Sequence, residues 1–149
     1  QQLSLQLSFT QVEATFRSAY LICNAPGCTV PNVQVAAGSR IPGVARQQGH
    51  AALRWQSGGW NASAELSQMS DIVANDVGTE VAPAYSVGNI EAGRQLTLGR
   101  STLRLFARID NIADRRYIGS VIVNQASSQF YEPGLPRSWV IGLQTKLPL

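Results

Sequence analysis

The sequence predicts an all-β fold: a piece of an antiparallel, up-and-down transmembrane β-barrel with about six strands, long extracellular loops and short periplasmic turns. Three observations predict it. Apolar and polar residues alternate over strand-length stretches, so each strand has one apolar and one polar face. Charged residues are only 14% of the chain, against about a quarter in a soluble domain, yet no run of about 18 apolar residues is present to cross a membrane as a helix. The connections between alternating stretches run long, short, long, short, long, an ordering by end that belongs to barrels rather than sandwiches.

Leu3–Phe9 is the clearest strand, with Leu3, Leu5, Leu7 and Phe9 on one face and Ser4, Gln6, Ser8 and Thr10 on the other. Past Gln11 the phase inverts to Val12, Ala14 and Phe16, as a bulge or an exit into water would produce. Arg17–Arg46 contains Pro26, Pro31 and Pro42, keeps no sustained period and reads as a long loop, although Asn32–Ala37 alternates faintly. Gln48–Ser57 sets Ala51, Leu53 and Trp55 against His50, Arg54 and Gln56. After the tight turn Ser57-Gly58-Gly59, Trp60, Ala62, Ala64 and Leu66 oppose Asn61, Ser63, Glu65 and Ser67. Trp55 and Trp60 therefore flank one turn on the apolar face, where amphipathic indoles form the aromatic girdle of a membrane barrel. A cross-strand pair in a soluble hairpin is the alternative.

Ala74–Pro83 is a polar, acidic loop, and Tyr85–Leu96 is a strand with Ile90 and Ala92 outward and Asn89 and Glu91 inward. Thr97–Ser101 is a short turn. Leu103, Leu105, Ala107 and Ile109 then oppose Arg104, Phe106, Arg108 and Asp110, in a strand expected to continue, kinked, through Tyr117 to Val123. Asn124–Pro136 is a loop, and Trp139, Ile141, Leu143, Thr145 and Leu147 make the last apolar face.

The net charge of +3 is scattered along the chain and forms no basic stripe, which argues against a nucleic-acid partner. Cys23 and Cys28, with the single histidine, are too few for a four-ligand metal site. They read as a disulfide pinning a loop tip in an oxidising compartment, the alternative being free thiols. Glu65, Asn89, Glu91, Arg104, Arg108, Asp110 and Gln144 are expected to face the lumen, where an interior that holds protein must be hydrogen-bonded. Asp110, Asn111 and Asp114 lack further oxygen ligands at loop spacing and read as turn-shaping residues. His50 reads as a hydrogen-bonded lumen histidine. No serine sits in a nucleophile turn and no Cys–His pair is arranged, so the reading is of a chain that is not an enzyme, with no metal and no cofactor.

These residues resemble a known family. Asn111-Ile112-Ala113-Asp114-Arg115-Arg116-Tyr117, the stretch Ile118–Asn124, Phe130-Tyr131-Glu132-Pro133 and Pro136–Leu143 resemble the C-terminus of TonB-dependent outer-membrane receptors. Ala37–Val44 resembles the segment that leads those receptors from an extracellular loop into a descending strand. The motif residues are Asn111, Asp114 and Tyr117. The resemblance implies a barrel of about 22 strands around a plug. It also implies the outer membrane of a Gram-negative bacterium and uptake of a ferric siderophore or similar large, scarce solute, driven by the TonB complex. Partners would be outer-membrane lipid, the rest of the barrel and the plug, and the TonB complex through an N-terminal part not in this sequence. Tyr20 and Arg40 in the first loop and Tyr131 in the last offer stacking and anion-pairing groups suited to an iron–chelate complex.

The chain departs from that pattern in lacking a plug and a coupling box, and in ending on Leu147-Pro148-Leu149 rather than on an aromatic residue. It opens on Gln1-Gln2-Leu3 without a signal peptide, so it is expected to start downstream of its true beginning or to have been processed. Six strands are fewer than the eight of the smallest closed spanning barrels, so the chain is expected to be the C-terminal piece of a larger one. Its edges, Leu3–Phe16 and Trp139–Leu147, would then pair with protein outside it. Two alternatives stay open: a small structural or adhesive barrel with two strands hidden in Arg17–Arg46, and a soluble secreted β-sandwich acting as a binding module.

Overall fold

The computed structural model describes residues 1–23, 25 and 27–146. Six strands form one antiparallel sheet: β1 (Gln2–Gln11), β4 (Gln47–Ser57), β5 (Trp60–Met69), β8 (Tyr85–Leu98), β9 (Ser101–Asp110) and β12 (Ser138–Lys146), hydrogen-bonded in the order β1-β4-β5-β8-β9-β12. Each strand thus pairs with its neighbour along the chain, once the short elements inside the loops are set aside. At about 3.3 Å per residue, nine or more residues are enough to cross a hydrocarbon core at a tilt. The sheet is open, and β1 and β12 are its edges.

The register puts every apolar set on one side. Leu5 pairs with Leu53, Leu53 with Ala64, Ala64 with Ile90, Ile90 with Ile109 and Ile109 with Trp139. No second layer covers this face among the described residues, and Leu3, Leu5, Leu7, Phe9, Trp139, Ile141 and Leu143 are all at least 63% exposed. A two-layer sandwich requires the opposite. Trp55 and Trp60 lie on this apolar face on either side of the Gly58-Gly59 turn. Both glycines of that turn have positive φ, 56° and 83°, as a two-residue hairpin turn that matches strand twist requires. The second tight turn, at Gly99-Arg100, lies at the same end of the sheet.

The three long connections lie at the other end and carry structure that alternation alone did not resolve. β2 (Tyr20–Ile22) and β3 (Val33–Val35) form a ribbon within residues 12–46. They pair only with each other, so they do not extend the main sheet toward eight strands. β6 (Ile72–Val73) and β7 (Val81–Ala82) close the acidic loop, and β10 (Ile118–Val121) pairs with β11 (Tyr131–Pro133). Three sequence expectations are corrected here. β1 stops at Gln11 rather than running to Phe16, and beyond it Thr15 makes an isolated bridge to Arg40. The strand expected to reach Val123 ends at Asp110, because Asn111 and Asp114 adopt positive φ of 51° and 50° and turn the chain. Tyr131–Pro133, expected as loop, is strand β11. Leu147, expected to end the last apolar face, lies outside the described residues.

Burial is concentrated in the loops. Val35, Ala45, Val73, Ala74, Ala82, Asn75 and Asn111 are buried there, while Ala52 is the only buried hydrophobic side chain in the six-stranded sheet among the described residues. The loops are tied to one another by backbone bonds, Gly43 N to Val73 O at 2.8 Å and Asn124 N to Ala74 O at 3.0 Å. The loop end is therefore a packed cap, and the sheet is a wall with two open faces.

Candidate functional site

Two regions carry polar chemistry: the polar face of the wall and the cap. The ladder register places Glu65, Asn89, Glu91, Arg104, Arg108, Asp110 and Gln144 all on the face opposite the apolar one. His50 shares that face, its Nδ1 3.3 Å from Ser67 Oγ. The charges interlock across strands. Arg54 Nη2 and Arg108 Nη2 lie 3.6 and 3.8 Å from the two oxygens of Glu65. Arg108 Nε donates to Asp110 Oδ1 at 2.7 Å, and Arg104 Nη2 donates to Glu91 Oε1 at 2.5 Å. These side chains are partly exposed, so each pair contributes about 0–1 kcal/mol of stability. Their larger effect is to hold the planar guanidinium forks in fixed directions across the face. Glu65 and Glu91 share this face but are each held by arginine rather than by one another. Phe106 also lies here. Its ring covers Gly142, directly opposite on β12, where any Cβ would collide with the ring, while Gly93 faces Phe106 on the β8 side.

Asn111, Asp114 and Tyr117 build the junction between wall and cap. Asn111 is 2% exposed. Its Nδ2 donates to Arg115 O at 2.8 Å and Leu135 O at 3.0 Å, its Oδ1 accepts from Arg115 N at 2.9 Å, and its own N–H donates to Asn89 Oδ1 at 3.0 Å. Asp114 accepts from the Arg137 backbone N–H at 3.1 Å, and its pKa lies below the usual carboxylate range chiefly because of that bond. Tyr117 lies across Gly134, and its ring is tilted against Tyr85 with centroids 4.5 Å apart. The motif is thus a turn that returns the chain over the end of β9. Among the described residues no group of three or more His, Cys, Asp and Glu side chains converges as a metal site would require.

In the cap, Cys23 and Cys28 are disulfide-bonded, with Cα atoms 5.5 Å apart. The three candidate solute contacts are engaged within the protein. Arg40 donates to Asp71 Oδ2 at 2.5 Å and to Asp71 O at 2.8 Å, which binds the first loop to the second. Tyr131 OH donates to Glu80 Oε2 at 2.9 Å, and Tyr20 stacks edge-on against Phe16 with centroids 5.1 Å apart. Burial and, secondarily, the neighbouring Asp76 raise the Tyr20 phenol above its ordinary pKa. A cleft of about 360 Å³ opens where the three loops meet, lined by Ile22, Cys23, Asn75, Asp76, Asn124 and Phe130 among others. The sequence reading missed Asn75, Asp76 and Asn124. Asn75 Oδ1 accepts from Thr79 N at 3.0 Å and so closes the acidic loop on itself, and the available signal was only the turn-forming residue type of Asn75 within a polar stretch. Asn124 Nδ2 donates to Asp76 Oδ1 at 2.9 Å, a pairing that joins residues 48 apart and has no local signal.

No family model matches the chain. Three solved structures share its architecture. The siderophore receptor PiuA from Acinetobacter baumannii superposes with a TM-score of 0.76 over 96% of this chain at 15% identity. The ferric-catecholate import receptor Fiu from E. coli K12 does so with 0.64 over 96% at 19% identity. BauA, the ferric preacinetobactin receptor of A. baumannii, gives 0.63 over 73% at 16% identity. The chain spans 19%, 18% and 16% of their respective lengths. The all-β antiparallel wall, with one apolar face, one polar face and loop lengths sorted by end, thus shares its fold with part of each of these three siderophore receptors.

Proposed function

We propose that this chain is the C-terminal part of the barrel of a TonB-dependent outer-membrane transporter that takes up a ferric siderophore or a similarly large, scarce solute. The single observation that carries the reading is the division of one uninterrupted sheet into an uncovered apolar face and a charged, interlocked polar face. Water leaves the first without a partner, whereas lipid supplies one. The second has the character of a lumen lined by hydrogen-bonding groups for a plug. The fold shared with siderophore receptors supports the choice of solute. In this reading the short-turn end is periplasmic, the cap is extracellular, Trp55 and Trp60 sit in the aromatic girdle, and the loops around the Cys23–Cys28 bridge present the capture surface.

The chemistry is binding and passage, not covalent catalysis. The cap, tied together through Arg40–Asp71 and Tyr131–Glu80, holds a preformed surface, which lowers the ordering cost of capturing a solute. The test is uptake of radiolabelled ferric siderophores by iron-starved cells expressing the full-length protein, with and without an active TonB complex. TonB-dependent accumulation of at least one ferric siderophore is expected. Absence of uptake across catecholate, hydroxamate and mixed-ligand siderophores, or a full-length protein that stays soluble without detergent, overturns the reading.

A further inference from the structure

Among the described residues the apolar face carries one ionisable side chain. Along all six strands the register puts only Arg94 on that side; the other charged residues of the sheet point to the opposite face, where Arg54, Arg104 and Arg108 meet carboxylates. Arg94 makes no salt bridge among the described residues and is exposed. It pairs in register with Trp60, and its guanidinium carbon lies 4.7 Å from the centroid of the indole ring. Trp60 is the first residue after the Gly58-Gly59 turn and is 49% exposed. β5 and β8 are the two central strands of the sheet, so both residues are flanked by protein on either side and open outward.

A guanidinium in hydrocarbon is costly, and the cost falls toward the interface. Placement beside the tight turn puts Arg94 at that interface. The indole covers one face of the guanidinium plane and fixes its direction, while the donors around its edge stay free. The one negative group that the apolar side of a membrane wall meets at that level is a lipid phosphate. We infer that Trp60 and Arg94 form a binding site for the phosphate of an anionic phospholipid, in the leaflet at the tight-turn end of the sheet. The inference rests on the membrane reading above. It adds a lipid site that plays no part in solute capture.

The experiment uses the full-length protein in nanodiscs of equal phosphatidylglycerol and phosphatidylcholine, followed by native mass spectrometry of the retained lipids. The wild type is expected to carry one more phosphatidylglycerol than R94Q, with a preference of about fivefold over phosphatidylcholine for that molecule. R94K should keep the extra lipid, since charge is retained, and W60L should reduce its occupancy. Equal phosphatidylglycerol counts in wild type and R94Q overturn the site. Heat-modifiable gel mobility of every variant separates the two levels of failure. A protein that shows it but no difference in lipid refutes the lipid site alone, and a protein without it refutes the membrane reading on which the site depends.

Discussion

Replacing Asn111 tests whether one buried side chain holds the cap to the wall. Its carboxamide makes three hydrogen bonds, at 2.8, 2.9 and 3.0 Å, that join residues 111, 115 and 135. At about 1 kcal/mol net for each bond, N111G should cost the local structure about 3 kcal/mol. N111A should cost about 1 kcal/mol more, because alanine is strained at the φ of 51° that asparagine tolerates and glycine accepts freely. The perturbation is local, so the readout is amide hydrogen exchange in peptides covering residues 111–117 and 131–137 of the folded full-length protein. At 1.36 kcal/mol per decade, N111G should speed exchange by roughly a hundredfold, and N111A by severalfold more. Exchange within about threefold of wild type in both variants would refute the role given to Asn111 here. Equal exchange in the two variants would refute the backbone part of the argument alone.

Other outcomes follow from the same geometry. G142A forces the Phe106 ring off its seat and should lower stability by about 1–3 kcal/mol in urea unfolding from lipid vesicles, with F106L partly restoring it. Opening the Cys23–Cys28 link, which closes a loop across a sequence separation of 5, removes a constraint worth about 2 kcal/mol; C23S/C28S should weaken solute binding by the full-length protein, and unchanged affinity would remove that loop from the capture surface. The Asp114 carboxylate has its pKa lowered first by the Arg137 backbone N–H, so its contribution is present above about pH 4 and is lost as pH falls through the lowered value. Protease sensitivity of the 111–137 loop should therefore rise on acidification in wild type, and should be higher and flatter with pH in D114N.

The wall was legible in the sequence because its determinants are local. Alternation of period two assigns each side chain to a face, and a single error of register would have moved every residue to the wrong side. Glu65, Asn89, Glu91, Arg104, Arg108, Asp110 and Gln144 fall on one face for that reason. The cap was not legible, because its determinants are long-range. Arg40 reads in isolation as a cation free to meet an anionic solute, and only the fold brings it to Asp71, 31 residues away. The β2–β3 and β10–β11 ribbons are three or four residues a strand, too short for periodicity to register. The strand expected to run, kinked, through Tyr117 ends at Asp110, because the turn-shaping role legible in Asn111 and Asp114 is a full reversal at positive φ rather than a kink.

The open edges set what the chain can do by itself. In a strand, the N–H and C=O of alternate residues point to the same side. The outer edge of β1, ten residues long, therefore presents about ten unpaired backbone groups, and that of β12, nine residues long, about nine. At several kcal/mol for each group left unsatisfied in hydrocarbon, the two edges together cost tens of kcal/mol, well beyond the roughly 5–15 kcal/mol by which a folded domain is stable. Pairing β1 directly with β12 would relieve the edges only by closing a barrel of six strands, below the eight of the smallest known spanning barrels. Water does not relieve the chain either, since the face bearing Leu3, Leu5, Leu7 and Phe9 would then stand uncovered. The chain refolded alone into detergent or vesicles should therefore aggregate or associate through its edges, while the same residues supplied with the rest of a barrel should yield a heat-modifiable species. A stable, heat-modifiable monomer of these residues alone would show that the edges are satisfied internally, and the wall would have to be reread as a complete small barrel.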